Sequence, residues 1–385
     1  MPRTAVDRTP GGPQHDRRSE GAYEDDMTIS SIRAKAVGLL AALTGTLAAA
    51  GPALGHHSFA MYDTASVIEI EGELAEIRWR NPHVRFTLNV SDATGAVTAW
   101  ELESSSPGML DRMDVPAELL QVGDRVRAAG NPAADGAPEL FATNLLLSSG
   151  REVLLRFRDQ PRWASDRAVG NQGAWFVTEG DASSPELGLF RIWSSTFAVS
   201  SPPLLFPDNT DPTFSPLDYP LTEEARAIVA AFDPVAASEA AAAGCEPKGM
   251  PWIMEAPEPV EFVDEGERIL FRISEFNTER VIHMAEDADV ASAPPSLFGV
   301  STGVWEDGAL VVRTTKINED QLNFRVPQSE AVALVERFTP SADGARLDYE
   351  IEITDPATFT EPVRLAKHWI YIEGAELATY ECASG

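Results

Sequence analysis

Cysteine is almost missing. The 385-residue chain carries two, Cys245 and Cys382, and with no C-x-x-C pair it offers neither a zinc ribbon nor a dithiol redox motif. Positive charge is scarce as well: 30 Lys and Arg stand against 60 Asp and Glu, a formal net charge of −30. A surface that acidic repels phosphate backbones and anionic headgroups, so no nucleic-acid partner is expected. The main apolar run, Ala36 to Ala50, is 15 residues long, too short for a membrane-spanning helix. A Gly-x-Ser-x-Gly elbow, a Walker loop, a dinucleotide fingerprint and a His-Glu-x-x-His helix are all missing. Those absences remove the commonest hydrolase and zinc-protease readings and leave no nucleotide or flavin cofactor to expect.

What is present begins with an address. Arg33 and Lys35 precede the apolar run, and Ala53-Leu54-Gly55 puts small residues at both positions that a signal peptidase reads. Residues 27–55 are therefore expected to be a secretory signal, which makes the protein periplasmic or secreted with no transmembrane span after cleavage. Residues 1–26 are polar and include Glu24-Asp25-Asp26; they are expected to be disordered or to reflect a start placed too early, Met27 being the more natural one. Residues 1–55 hold six basic and six acidic side chains, so the whole charge imbalance belongs to the remainder. In an oxidising compartment Cys245 and Cys382 are expected to form a disulfide. Closing so long a loop is worth about 4–5 kcal/mol in the chain-entropy account.

A cut after Gly55 makes His56-His57-Ser58-Phe59 the new N-terminus. A free α-amine beside an imidazole chelates late transition metals, copper above all. Downstream, Val67 to Leu74 alternates until Gly72, after which Ile77 and Trp79 continue on the other face, the sign of a bent or bulged strand. Arg80-Asn81-Pro82 is a turn, and Val84, Phe86, Leu88 and Val90 then alternate with His83, Arg85, Thr87 and Asn89. His83 thus belongs to the polar side of its strand. Three more strands follow, over Val97–Leu102, Val122–Gly130 and Leu140–Leu147, and five short strands with a bent first one suggest a small OB-type barrel over residues 56–150.

These residues carry a resemblance. The signal followed by His-His-Ser-Phe, then Trp-x-Asn-Pro-His-Val and Gly-Asp-x-Val, resembles an exported bacterial family of unknown function. It implies a fold and an address, and no activity. From the residues themselves, His56, His57 and His83 form a candidate metal site, copper before zinc, with the terminal amine as a fourth donor and Met61 as a soft thioether.

Residues 151–244 look like a mostly irregular connector, an arm wrapped on its neighbours with one strand-like run at Leu187–Ser194. Thr222 caps a short helix with two acids in its first turn, and Ala236–Ala243 suggests a second helical turn. Residues 245–385 read as β throughout, with strands expected over Ile269–Ile273, Arg280–Met284, Gly299–Trp305, Ala309–Ile317, Val332–Phe338, Arg346–Ile353, Val363–Ile372 and Leu377–Cys382. Glu306-Asp307-Gly308 and Ala342-Asp343-Gly344 are hairpin turns. Eight antiparallel strands favour a lipocalin-like barrel, an architecture that holds one apolar ligand. Its opening Cys245-Glu-Pro-Lys-Gly-Met-Pro and closing Tyr380-Glu-Cys382 resemble uncharacterised domains fused behind the first family. Trp252, Arg280, His283, Trp305 and His368 are candidates to line the barrel mouth, and His283 with His368 would serve acid–base chemistry if both faced inward.

The fold class expected is therefore all-β: a small OB-like barrel, an irregular connector with a short helix, and a larger antiparallel barrel. The function expected is binding of a metal and of a small apolar ligand. The alternatives are an exported enzyme using an open His-ligated metal or the His283–His368 pair, and an envelope interaction protein without chemistry.

Overall fold

Alternation of apolar and polar residues marks strands such as Arg85–Ser91 and Arg346–Thr354. The computed structural model describes residues 61–381 except 158, 197–204, 210, 212, 234–246, 286–289 and 324. His56, His57, Cys245 and Cys382, with the expected disulfide, signal and second helical turn, lie outside the described residues.

The first barrel is built from β1 (Ile68–Arg78), β2 (Arg85–Ser91), β3 (Val97–Glu103), β4 (Arg125–Pro132) and β5 (Glu139–Leu147). Its order is β3-β2-β1-β4-β5, and a parallel pairing of β3 with β5, Leu102 opposite Leu140, closes the ring. The phase slip after Gly72 is a register shift between Leu74 and Glu76 against β2. Gly72 itself has a steric reason: a Cβ there would stand 2.3 Å from the Asn89 carbonyl oxygen. The Ser/Pro stretch after β3 folds into a short helix, α1 (Pro107–Arg112), whose N-terminus Ser106 caps by accepting from the Met109 N–H. Leu74, Val84, Phe86, Leu88, Leu102, Leu110 and Leu140 fill the interior.

The connector is not a loose tether. It adds β6 (Glu152–Leu154) beside β5 and β7 (Ala168–Val169) beside β6. Fully buried Glu152 anchors it, accepting from the backbone N–H groups of Arg162, Trp163 and Ala164 at 2.6–2.9 Å and from Asn144 Nδ2 at 2.8 Å. Burial works against its charge, but the four hydrogen bonds outweigh it and hold the carboxyl below its ordinary value. Glu152→Ala should therefore cost about 3 kcal/mol, as a buried network losing its hub does. Urea titration reads the loss, and limited proteolysis should cut first in residues 158–170.

Farther on, β8 (Ile192–Trp193) pairs with β9 (Val260–Asp264) and so belongs to the second barrel. The short helix α2 (Glu223–Ala230) is capped by Thr222 and buries Ala225 and Val229 against that barrel's core. The second barrel continues through β10 (Arg268–Ile273), β11 (Thr278–His283), β12 (Val300–Glu306), β13 (Ala309–Thr315), β14 (Ala333–Pro340), β15 (Arg346–Thr354) and β16 (Val363–Ile370). Neighbours in sequence are neighbours in the sheet, and all pair antiparallel except β11 with β12. Ser194, just after β8, exchanges both backbone hydrogen bonds with Ile370 of β16, at 2.8 and 2.9 Å, which nearly closes a nine-stranded barrel.

Two expectations are corrected. The barrel has nine strands rather than eight: seven of the expected ones form, the connector contributes β8, and Val260–Asp264, which was not expected as a strand, contributes β9. Leu377–Cys382 is no strand over its described part. Instead the chain there crosses between barrels: Asn277 holds Tyr380 through two hydrogen bonds, at 2.8 and 2.9 Å, and the Asn81 N–H donates to the Glu381 carbonyl at 3.2 Å. Both barrels and the connector belong to one compact unit.

Candidate functional site

His83 precedes β2 on the face opposite Val84, Phe86 and Leu88, all fully buried. On that outer face Arg85 Nη2 donates to Glu103 at 2.9 Å, and Thr87 and Arg78 each donate to Glu101, at 2.7 and 2.6 Å. The His83 side chain, 28% exposed, sets Nδ1 2.8 Å from the Ser104 carbonyl and 3.6 Å from Glu103 Oε1. A carbonyl only accepts, so Nδ1 carries the hydrogen and Nε2 the lone pair. Burial lowers the imidazole's pKa, the Ser104 bond opposes that, and Arg85 and Lys248 lower it further. The ring is therefore neutral at pH 7.

Lys248 belongs to the approach to the second barrel, so His83 stands where the two barrels meet. Behind it lies a group of charges that the sequence does not bring together. Lys248 Nζ donates to Glu275 Oε1 at 2.6 Å and lies 5.7 Å from the Trp252 ring centre. Burial works against the Lys248 charge, but Glu275 more than offsets it, and the pKa is raised. Glu258, just before β9, is pushed up to about 7, by burial first and then by Glu275, with Lys248 and Arg112 pulling it down. Arg112, at the end of α1, is 8% exposed; one of its nitrogens, Nη2, donates to the Ser195 carbonyl, and its guanidinium lies over Trp175 at 5.5 Å. Burial lowers its pKa to about 10, opposed by Glu258 and then Asp111.

Lys367 is the deepest member. β16 pairs it with Tyr349 and places it on the inward face with Leu365 and Trp369. It is 3% exposed, donates to the Met254 carbonyl at 2.7 Å and lies 4.4 Å from the Trp369 ring centre. Burial pushes its amine down to about 7, against the upward pull of Glu255, Glu258 and Glu275. A carboxyl and an amine that both titrate near neutrality are groups able to accept and release a proton at working pH.

The mouth candidates part company. Trp252 is half-buried at this junction. Arg280 is 2% exposed and committed to Glu336 inside the barrel. Trp305, 47% exposed, packs its ring against Phe190 at 6.0 Å. His283 and His368 have outward parity, opposite Arg268 and Asp348, and sit on β11 and β16, with three strands between them by the shorter way round. The structure does not bring them together. Burial lowers the His368 pKa, Arg346 adds to that, and Asp348 opposes it. Among the described residues no three His, Cys, Asp or Glu side chains converge as a metal site, and no helix is long and apolar enough to cross a membrane.

Residues 45–140 match a family of unknown function, DUF6152. The matched span takes in both histidine motifs and runs from the apolar stretch to the start of β5. No curated protein matches the chain. Among solved structures, the crystal structure of Rim1, a mitochondrial single-stranded DNA binding protein from S. cerevisiae, is similar over 22% of this chain and 94% of that one, at 13% identity and a TM-score of 0.17.

Sequence reasoning missed Arg112, Lys248, Glu258, Glu275 and Lys367. One signal was available for Lys367: Val363, Leu365, Lys367 and Trp369 share a parity, which puts a lysine on an otherwise apolar face.

Proposed function

We propose that this is an exported metal-binding protein whose site, best suited to copper, uses His83 together with His56 and His57. The observation that carries the reading is the His83 hydrogen bond to Ser104 at 2.8 Å, with Glu103 beside it. Metal-binding histidines characteristically donate their second ring N–H to a carbonyl or carboxylate, which fixes the tautomer and strengthens the ligating nitrogen. A depressed imidazole pKa supports the same role, since a ligating imidazole must be neutral. Cleavage after Gly55 would supply an α-amine and two more imidazoles. All-nitrogen donors of that kind favour Cu(II) and accept zinc less well.

An apolar ligand inside the second barrel has less to stand on. Phe262, Phe271, Phe338 and Trp369 pack against one another there, with ring centres 4.3–6.5 Å apart, and the Arg280–Glu336 pair occupies the same interior.

The test joins two measurements on protein recovered from the exported fraction: intact mass, then Cu(II) titration followed by EPR. A mass beginning at His56 is expected, with one equivalent of copper giving a nitrogen-rich signal. His83→Ala should weaken that binding by at least tenfold while leaving the circular dichroism of the first barrel unchanged. A different N-terminus, or an affinity that His83→Ala leaves untouched, would sink the reading.

A further inference from the structure

The charges at the junction are not paired off as buried charges usually are. Glu258 and Glu275 each keep Oε2 buried without a hydrogen-bond partner, and Arg112 keeps both Nε and Nη1 in the same condition. Arg112 and Glu275 are themselves more than nine-tenths buried, at 8% and 7% exposure. Arg112 and Glu258 act on each other electrostatically, as do Glu258 and Glu275, yet no ion pair forms between Arg112 and either carboxylate. Folded proteins rarely leave such an atom unsatisfied, and a buried guanidinium that feels a neighbouring carboxylate pairs with it directly unless something stands between. Four such atoms on three side chains linked through Glu258 point to a bound group.

The signs of the charges say what kind. A bare cation drawn to Glu258 and Glu275 would meet Arg112 and Lys248. An anion drawn to Arg112 would meet Glu258. A molecule that carries both signs a few atoms apart satisfies each side. We infer that the junction between the barrels binds a small zwitterion of the α-amino-acid class, its carboxylate on Arg112 and its ammonium on Glu258 and Glu275. Lys248 is 27% exposed and Glu258 and Trp252 are half-buried, so this side of the junction borders solvent. Lys248, already held by Glu275 at 2.6 Å, stays on the rim and fixes that carboxylate.

Titration calorimetry on the full exported chain tests this, with glycine, L-alanine and L-glutamate as probes and with acetate and methylammonium as their separated halves. EDTA is present throughout, so that an amino acid carried on copper does not register; the outcome is then independent of the histidine site. At least one zwitterion is expected to bind once per chain, at least tenfold more tightly than either half. Glu258→Gln and Arg112→Gln should each weaken it tenfold or more. If Arg112→Gln fails to fold, as circular dichroism would show, Glu275→Gln takes its place beside Glu258→Gln. No saturable binding by any zwitterion means that ordered water alone fills the gap, and the inference fails. It fails equally if acetate binds as tightly as glycine, or if the folded variants bind as the parent does.

Discussion

Arg280→Ala should lower the free energy of unfolding by about 3–5 kcal/mol, the range for breaking a buried ion pair from one side. Arg280 and Glu336 are 2% and 0% exposed. The guanidinium meets Glu336 with two nitrogens, Nη1 at 2.9 Å from Oε1, while Nε donates to Ser301 at 3.0 Å and Nη2 to Thr314 at 2.6 Å. Tyr349 completes the set by donating to Glu336 at 3.0 Å. These five side chains come from β11 to β15, five adjacent strands, so the network ties the barrel wall across its width. Truncating Arg280 leaves a carboxylate in the interior with only hydroxyls for company. Arg280→Met with Glu336→Leu removes both charges, and should recover most of the loss, because much of the single-variant cost is the stranded charge. Urea unfolding of the two single variants and the double closes the cycle. A single-variant cost below about 1 kcal/mol, or a double equal to the sum of its parts, would overturn this account.

That network also shows where sequence reading succeeds and where it stops. Alternation placed seven of the second barrel's strands within a few residues, since period-two burial is written locally: Leu347, Tyr349, Ile351 and Ile353 are buried and Asp348, Glu350 and Glu352 are not. It placed β1 with its bend and set His83 on the polar face of its strand. The same alternation puts Arg280, Glu336 and Lys367 on inward faces, among Ile282, Phe338 and Trp369. A charged residue at an apolar parity is thus a legible sign of a buried pair, although its partner is not legible. β8 lies inside the strand-like run expected at Leu187–Ser194, whereas its partner β9 was missed, and the pairing of the two depends on the closure of the whole barrel. The junction was harder still. Arg112 comes from a six-residue helix, Glu275 from a single 3-10 turn between β10 and β11, and Glu258 from the irregular stretch before β9, so no local pattern announces that they meet.

Above neutral pH the protein is expected to grow more stable as the solution becomes more alkaline, up to about pH 10, and Lys367 is the cause. Burial brings its amine from an ordinary 10.5 down to about 7. Between those values the unfolded chain holds a proton that the folded chain has released. Unfolding then takes up a proton, and stability climbs with pH by at most about 1.4 kcal/mol per unit. Glu258 supplies the opposite limb. Its carboxyl rises from 4.5 to about 7, so between those values the folded chain holds the extra proton and stability falls as pH rises. The two limbs meet near neutrality, where their joint contribution is least. Urea midpoints from pH 5 to pH 9 should trace that minimum. Lys367→Met should flatten the alkaline limb, and Glu258→Gln the acidic one. Each variant acts on its own side because the two groups titrate from opposite directions. An alkaline rise that persists in Lys367→Met would assign it to other groups, and would mean that the amine keeps its proton inside the barrel, paired with Glu255, Glu258 or Glu275.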